Sequence, residues 1–189
     1  YLKKYVDFYK IASYEMSWPL LLKECARSNK PVILSTGMAN LKEVSKAVKI
    51  LKMNNCKKIS LLHCVSSYPA KIYSCNLNSI DFLRKKFNCE IGWSDHTVNQ
   101  LLVYSAIKNH KASYVELHVD LDGKGWENIG GKHCWLPNQI DDLMNYIKNE
   151  KIIDGQFKKI FSTDEKLERR LRADPIDGLR PIKYFRKKL

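Results

Sequence analysis

Polar and ionisable residues gather at five places in this 189-residue chain, each at the end of a short apolar run. The first place carries Lys10, Ser13 and Glu15. The second carries Ser35, Thr36 and Gly37, and the third His63, Ser66, Ser67 and Tyr68. The fourth carries Ser94, Asp95 and His96, and the fifth Glu116 and His118. The hydroxyls of Ser13, Ser35 and Ser94, with the ammonium of Lys10, suit the several acceptor oxygens of a phosphate. His96 and His118 offer two imidazoles to a divalent cation, with a water, a carboxylate or a substrate completing the shell. Taken singly, each residue reads equally well as a helix cap, a turn or an interior polar group; the set points to a site. His63 lies inside an apolar run and reads as a hydrogen-bonded interior residue. His110, flanked by Asn109 and Lys111, reads as solvent-facing.

A repeated pair of elements must position these groups. Apolar runs of strand length cover residues 8–12, 31–34, 59–64, 90–93 and 114–119. They are mostly continuous rather than alternating, the pattern of strands buried on both faces of a parallel sheet. Helical spacing lies between them. Leu20, Leu21, Cys25 and Ala26 form one stripe, and Leu41, Val44, Val48 and Leu51 a second behind an Asn40/Glu43 capping box. Leu77, Ile80, Leu83 and Phe87 follow Asn76 as a cap, and Leu101, Leu102, Ser105 and Ala106 mark a fourth helix. Pro137 starts a fifth with Ile140, Leu143, Met144 and Ile147 on one side. Five strand–helix units predict an α/β fold with a parallel sheet, either doubly wound or part of a (β/α)8 barrel. In both, ligands bind beyond the carboxyl ends of the strands, where the polar groups fall. No Gly-x-Gly-x-x-Gly follows a strand, which counts against a dinucleotide site. The pattern fades near residue 150. Residues 1–150 therefore read as the βα domain and 151–189 as a basic extension, with a capping box at Ser162 and Glu165.

Composition narrows the class. Hydrophobic residues are 44% and charged residues 28%, a globular rather than a disordered mix. No apolar run approaches the roughly 20 residues that span a bilayer. The net charge is +13, of which the 39 residues after Glu150 hold +6, from 12 Lys and Arg against 6 Asp and Glu. Such a surface attracts nucleic acid, an acidic membrane or a phosphorylated small molecule. The lysines are scattered and no RNA-binding or helix-turn-helix pattern is present, so a solvated Lys-rich face is the simpler reading. Cys25, Cys56, Cys64, Cys75, Cys89 and Cys134 contain no Cys-x-x-Cys pair. With no export signal in view, they read as structural thiols in a reducing cytoplasm.

Four segments then carry a resemblance. They are Tyr9-Lys10-Ile11-Ala12-Ser13-Tyr14-Glu15, Ile33-Leu34-Ser35-Thr36-Gly37-Met38, Leu62-His63-Cys64-Val65-Ser66-Ser67-Tyr68-Pro69 and Gly92-Trp93-Ser94-Asp95-His96-Thr97. In order and spacing, over residues 7–120, they resemble the sialic acid synthase family, N-acetylneuraminate synthase and the related legionaminate and pseudaminate synthases. The resemblance implies a (β/α)8 barrel of the TIM type. It also implies condensation of phosphoenolpyruvate with an N-acetylated aminosugar, assisted by a divalent metal, Mn2+ or Mg2+. On that basis Lys10, Ser13, Ser35 and Ser94 hold phosphoenolpyruvate, Ser66 and Tyr68 lie near the substrates, and His96 and His118 bind the metal. Lys10 and Glu15 take the catalytic roles. The intact protein is expected to be a cytoplasmic enzyme and a homodimer, with neither a membrane nor nucleic acid as a partner.

By family order the five units are strands four to eight. A chain that starts at Tyr1 without Met is then expected to be the C-terminal part of an enzyme, inactive by itself. Two departures stand out. Where the family has Pro-Gly-Pro-Asp after its last strand, this chain runs from Asp120 to Gly125 and on to His133-Cys134-Trp135, leaving Asp122, Glu127 or His133 to replace the acidic group. The family's small antifreeze-like domain does not fit residues 151–189, which are too few and too charged. Two other readings stay open: a Schiff-base barrel aldolase using Lys10, and a basic nucleic-acid-binding module using the Arg-rich tail.

Overall fold

A computed structural model of the protein describes residues 2–187. The chain forms two compact units, Tyr1–Lys148 and Asn149–Leu189. In the first, β1 (Tyr9–Ile11), β2 (Val32–Ser35), β3 (Ile59–Cys64), β4 (Glu90–Asp95) and β5 (Val115–Leu117) make one parallel sheet in sequence order. The crossovers are α1 (Pro19–Arg27), α2 (Leu41–Met53), α3 (Asn78–Phe87) and α4 (Gln100–Lys108). After β5 come α5 (Trp126–Gly131) and α6 (Pro137–Asp154). Strand order never reverses, so the switch point of a doubly wound sheet is missing.

The sheet is a curled arc. Lys10 Nζ on β1 lies 3.0 Å from Glu116 Oε2 on β5, although these are opposite edge strands. A flat sheet would hold the two strands about 19 Å apart, four spacings of about 4.8 Å, farther than the two side chains reach. The convex face is apolar. Ile11, Leu34, Leu61 and Ile91 sit at paired registers and pack under Leu22, Val48, Leu51, Ile80 and Val103 of the helices. The concave face carries Ser35, Leu62 and Gly92 in one row and Cys64, Ser94 and Glu116 in the next.

Local chemistry sets the helices. Asn40 Oδ1 accepts the amides of Lys42 and Glu43, and the Glu43 carboxylate accepts the Asn40 amide, the expected capping box. Leu20 and Leu101, expected in buried stripes, are exposed, while Leu22 and Val103 are buried. The expected stripes contain four residues each but leave their angular width open, and the sheet selects which edge of each is covered. Asn76 does not cap α3. It sits at φ +40 and donates its amide to Ser79 Oγ, and Leu77 precedes the helix. His110 does not face solvent freely: its Nδ1 meets Asp81 Oδ2 at 2.6 Å, and Arg84 binds both Asp81 and the His110 carbonyl. The His110 ring and then Arg84 hold the Asp81 carboxyl below the usual carboxylate range. All six cysteines are free thiols. Burial pushes Cys75 up to about 11 and also raises Cys25, Cys56, Cys89 and Cys134.

His63 is interior, as expected. Its Nε2 lies 2.7 Å from the Cys75 carbonyl and its ring tilts against Trp93 on the convex side. Burial lowers its pKa from the ordinary 6.5, against the opposing hydrogen bond. Below 6.5 the unfolded chain takes up a proton that the folded one resists, so stability is full above that pH and is lost as pH falls toward the lowered value. Urea midpoints between pH 7.5 and 5 are expected to decline, and His63→Gln to flatten that decline. An unchanged slope in the variant would refute the assignment.

The second unit holds α7 (Glu165–Glu168) and α8 (Lys183–Arg186). Ser162 and Glu165 exchange the expected capping-box hydrogen bonds. Asp174 accepts the amides of Ile176 and Lys183, and Arg169 stacks over Phe161 at 4.0 Å. Among the described residues, no helix is long and apolar enough to cross a membrane.

Candidate active site

The carboxyl ends of β1, β2 and β3 meet around Gly37. Ser13 Oγ accepts the Gly37 amide at 2.9 Å and lies 3.2 Å from Cys64 Sγ. A methyl group at Gly37 would stand 2.3 Å from Ser66 Oγ, 2.8 Å from Cys64 Sγ and 2.9 Å from Ser13 Oγ. Thr36 is committed to the fold, donating its hydroxyl to the Leu62 carbonyl at 3.0 Å. Ser35 is buried, and its hydroxyl has no hydrogen-bond partner among the described residues. Beyond β4 and β5, Ser94 Oγ donates to Glu116 Oε1 at 2.8 Å while Lys10 holds the other oxygen of that carboxylate. Glu116 thus presents an ammonium and a hydroxyl side by side on the concave face.

A second group forms around Tyr68, whose ring lies 4.3 Å from His96, 4.9 Å from His133 and 5.9 Å from His118. His96 and His118 are 5.2 Å apart by ring centroids, and His118 and His133 are 4.8 Å apart. His96 Nδ1 faces the Val65 carbonyl at 2.7 Å. A carbonyl only accepts, so the proton sits on Nδ1 and Nε2 keeps its lone pair for a cation. His118 Nδ1 lies 3.1 Å from Glu127 Oε2. The buried Nδ1 of His133 has no hydrogen-bond partner among the described residues. Burial, reinforced by the neighbouring His118, lowers His96 and His133 below the ordinary 6.5. Both are therefore neutral at pH 7, the form that binds metals. The donor set fits a divalent ion.

Behind this group Asp95 is fully buried. Its carboxylate accepts the indoles of Trp93 at 3.1 Å and Trp135 at 2.9 Å, and the Thr97 hydroxyl at 2.7 Å. It also accepts the amides of Thr97 and Val98. These bonds hold the turn carrying His96, in which Val98 sits at φ +52, a conformation a β-branched residue avoids.

Most of the expected site residues therefore meet at the strand ends. Lys10, Ser13, Ser35, Ser66 and Ser94 line the first group, and Tyr68, His96 and His118 the second. Glu15 sits exposed on the turn after β1. Of the three candidate acidic replacements, Glu127 and His133 join the imidazoles, while exposed Asp122 accepts only the nearby Lys124 amide. The linking role of Glu116, the anchoring role of Asp95 and the presence of Cys134 were not anticipated. Glu116 and His118 are two apart and so share a strand face, a signal available in the sequence.

Hydroxyls, an ammonium and imidazoles at the carboxyl ends of successive parallel strands are the site architecture of barrel enzymes. The chain belongs to the NeuB family, whose model matches residues 1–159. It is 34% identical over 164 residues to the N,N'-diacetyllegionaminic acid synthase of Campylobacter jejuni, covering 85% of this chain and 48% of that protein. It is 37% identical over 176 residues to the pseudaminic acid synthase of the same species, covering 93% and 50%. The crystal structure of the N-acetylneuraminic acid synthetase of Leptospira borgpetersenii matches with TM-score 0.71 and 31% identity, over 87% of this chain and 56% of that one. A truncated 3-deoxy-D-arabino-heptulosonate 7-phosphate synthase from Thermotoga maritima, at 18% identity and TM-score 0.67, shares the fold. The chain spans about half the length of the curated relatives it matches.

Proposed function

We propose that the intact protein is a nonulosonate synthase. It condenses phosphoenolpyruvate with an N-acetylated aminosugar and releases phosphate, with the five strands here as the last five of an eight-stranded barrel. The observation that carries this reading is the convergence at the strand ends of Lys10, Ser13, Ser35 and Ser94 beside His96 and His118. The Glu116 carboxylate gathers the Lys10 ammonium and the Ser94 hydroxyl at one place, and an arriving anion takes both donors over from it. Lys10 and the hydroxyls grip phosphoenolpyruvate, and Ser66 and Tyr68 lie near the substrates. His96 and His118 hold the divalent metal, which when bound supplies a Lewis acid for the sugar aldehyde.

The methylene carbon of phosphoenolpyruvate bonds to the aldehyde carbon, and the aldehyde oxygen takes up a proton. Water adds to the cationic carbon that results and loses one proton; the hydroxyl so formed then gives up its own proton and becomes the keto group as the bond from that carbon to the phosphate oxygen breaks, its electron pair leaving with phosphate. Glu15, at the rim, exchanges protons with the sugar. Cytoplasmic location and a homodimer belong to the same proposal.

The test is phosphate release from phosphoenolpyruvate across a panel of N-acetylated aldoses, with Mn2+, Mg2+ or Zn2+ supplied in turn, using the full gene product. One sugar is expected to support release. His96→Ala and His118→Ala are each expected to lower it ~10³-fold, the scale of losing metal-ion charge stabilisation. Full activity in either variant, or release with no sugar of the panel, would overturn the reading.

A further inference from the structure

We infer that Glu127, His133 and Cys134 join His118 in a four-ligand centre that favours a zinc-class divalent ion. The inference rests on the preceding reading in one respect, that His118 is a metal ligand. One ligand atom from each of the four lies within 4.8 Å of all the others. Glu127 Oε2 is 3.1 Å from His118 Nδ1, 3.8 Å from His133 Nε2 and 4.0 Å from Cys134 Sγ. Bonds of about 2.0 Å to nitrogen and oxygen and about 2.3 Å to sulfur put tetrahedral corners about 3.3–3.5 Å apart. The set is therefore within about 1.5 Å of closing on an ion.

His133 supplies an independent sign. It is 5% exposed, and its Nε2 stands 3.8 Å from the carboxylate, outside hydrogen-bond range. An ion between Nε2 and the Glu127 carboxylate would bridge that gap. The backbone already holds the ligands together. The Trp135 amide donates to the His118 carbonyl at 2.7 Å and the Asp120 amide to the Trp135 carbonyl at 2.9 Å, so residues 118–120 and 133–135 run side by side. The Trp135 indole is anchored on Asp95. Glu127, on α5, has a side chain 62% exposed, which leaves the centre open to solvent for ion entry.

The ligand types choose the ion. Imidazole and thiolate suit zinc-class ions, whereas magnesium and manganese favour oxygen ligands. On binding, the Cys134 S–H bond breaks, its proton goes to solvent and a sulfur–metal bond forms.

Titration of Co2+ into the reduced full chain tests this. One tightly bound Co2+ per chain is expected, with an intense near-ultraviolet thiolate-to-cobalt band and the visible bands of tetrahedral cobalt, both erased by Zn2+. Cys134→Ser is expected to remove the near-ultraviolet band, Cys25→Ser to leave it, and His133→Ala to weaken cobalt binding ~10–100-fold. Where Cys134→Ser fails to fold by circular dichroism, alkylation of the unaltered chain answers the same question: bound Zn2+ must protect Cys134 more than Cys56, read by peptide mass. Cobalt bound without a thiolate band, a band that survives Cys134→Ser, or no cobalt bound at all would each overturn the four-ligand centre. If thiolate-free cobalt is lost in His96→Ala, the two-histidine reading survives; the phosphate-release assay decides the synthase reading separately.

Discussion

Asp95→Ala is expected to cost about 3–5 kcal/mol of unfolding free energy, the range for breaking a buried charge network. Five donors lose their acceptor at once: two indoles, one hydroxyl and two amides. Trp93 and Trp135 are fully buried, so no water replaces the lost oxygens without a rearrangement of the core. The Val98 backbone also loses the bond that keeps it at φ +52. Asp95→Asn retains one acceptor oxygen and is expected to recover part of the loss. Urea unfolding followed by tryptophan fluorescence measures both, and a loss below about 1 kcal/mol in the alanine variant would sink the claim that this carboxylate organises the turn.

The second large effect is expected at Gly37, with activity down ~10²-fold in Gly37→Ala, the scale of an ångström-sized misplacement in a site. The added methyl meets three side-chain atoms at 2.3–2.9 Å, from Ser66, Cys64 and Ser13. Ser13 cannot keep its bond to the Gly37 amide and also make room. Overpacking of this kind costs about 1–3 kcal/mol, so the variant is expected to fold while its phosphate release collapses. Comparing kcat/KM with thermal stability separates the two contributions. Near-normal turnover would show that the region around Gly37 does not hold substrate.

The sequence made the five strands readable because strands buried on two faces are short, continuous apolar runs, and here each ends in polar residues. The sense of winding was not readable in the same way. Strand order is not encoded in periodicity, and only the Lys10–Glu116 contact and the ordered pairing decide it. Asp95 is a single polar residue at a strand end, and its partner Trp135 is 40 residues away in sequence. Nothing local announces that bond. His133 and Cys134 follow α5, a six-residue helix that includes Gly130 and Gly131 and has little intrinsic helical preference, so the crossover that delivers them to His118 resembles loop. His110 misled for a related reason: its immediate neighbours are polar, and the carboxylate that holds it belongs to Asp81, 29 residues earlier.

The ion pair between the outermost strands has a mechanical meaning. Five strands bent into an arc act as a bow, and Lys10 with Glu116 is its string, tied between the two tips. Among the described residues, this ion pair links the two strands that stand at opposite ends of the strand order. The ammonium at one end of the string is also the cation of the concave face. An anion that drew that ammonium off its carboxylate would part the two side chains that link the ends of the strand order.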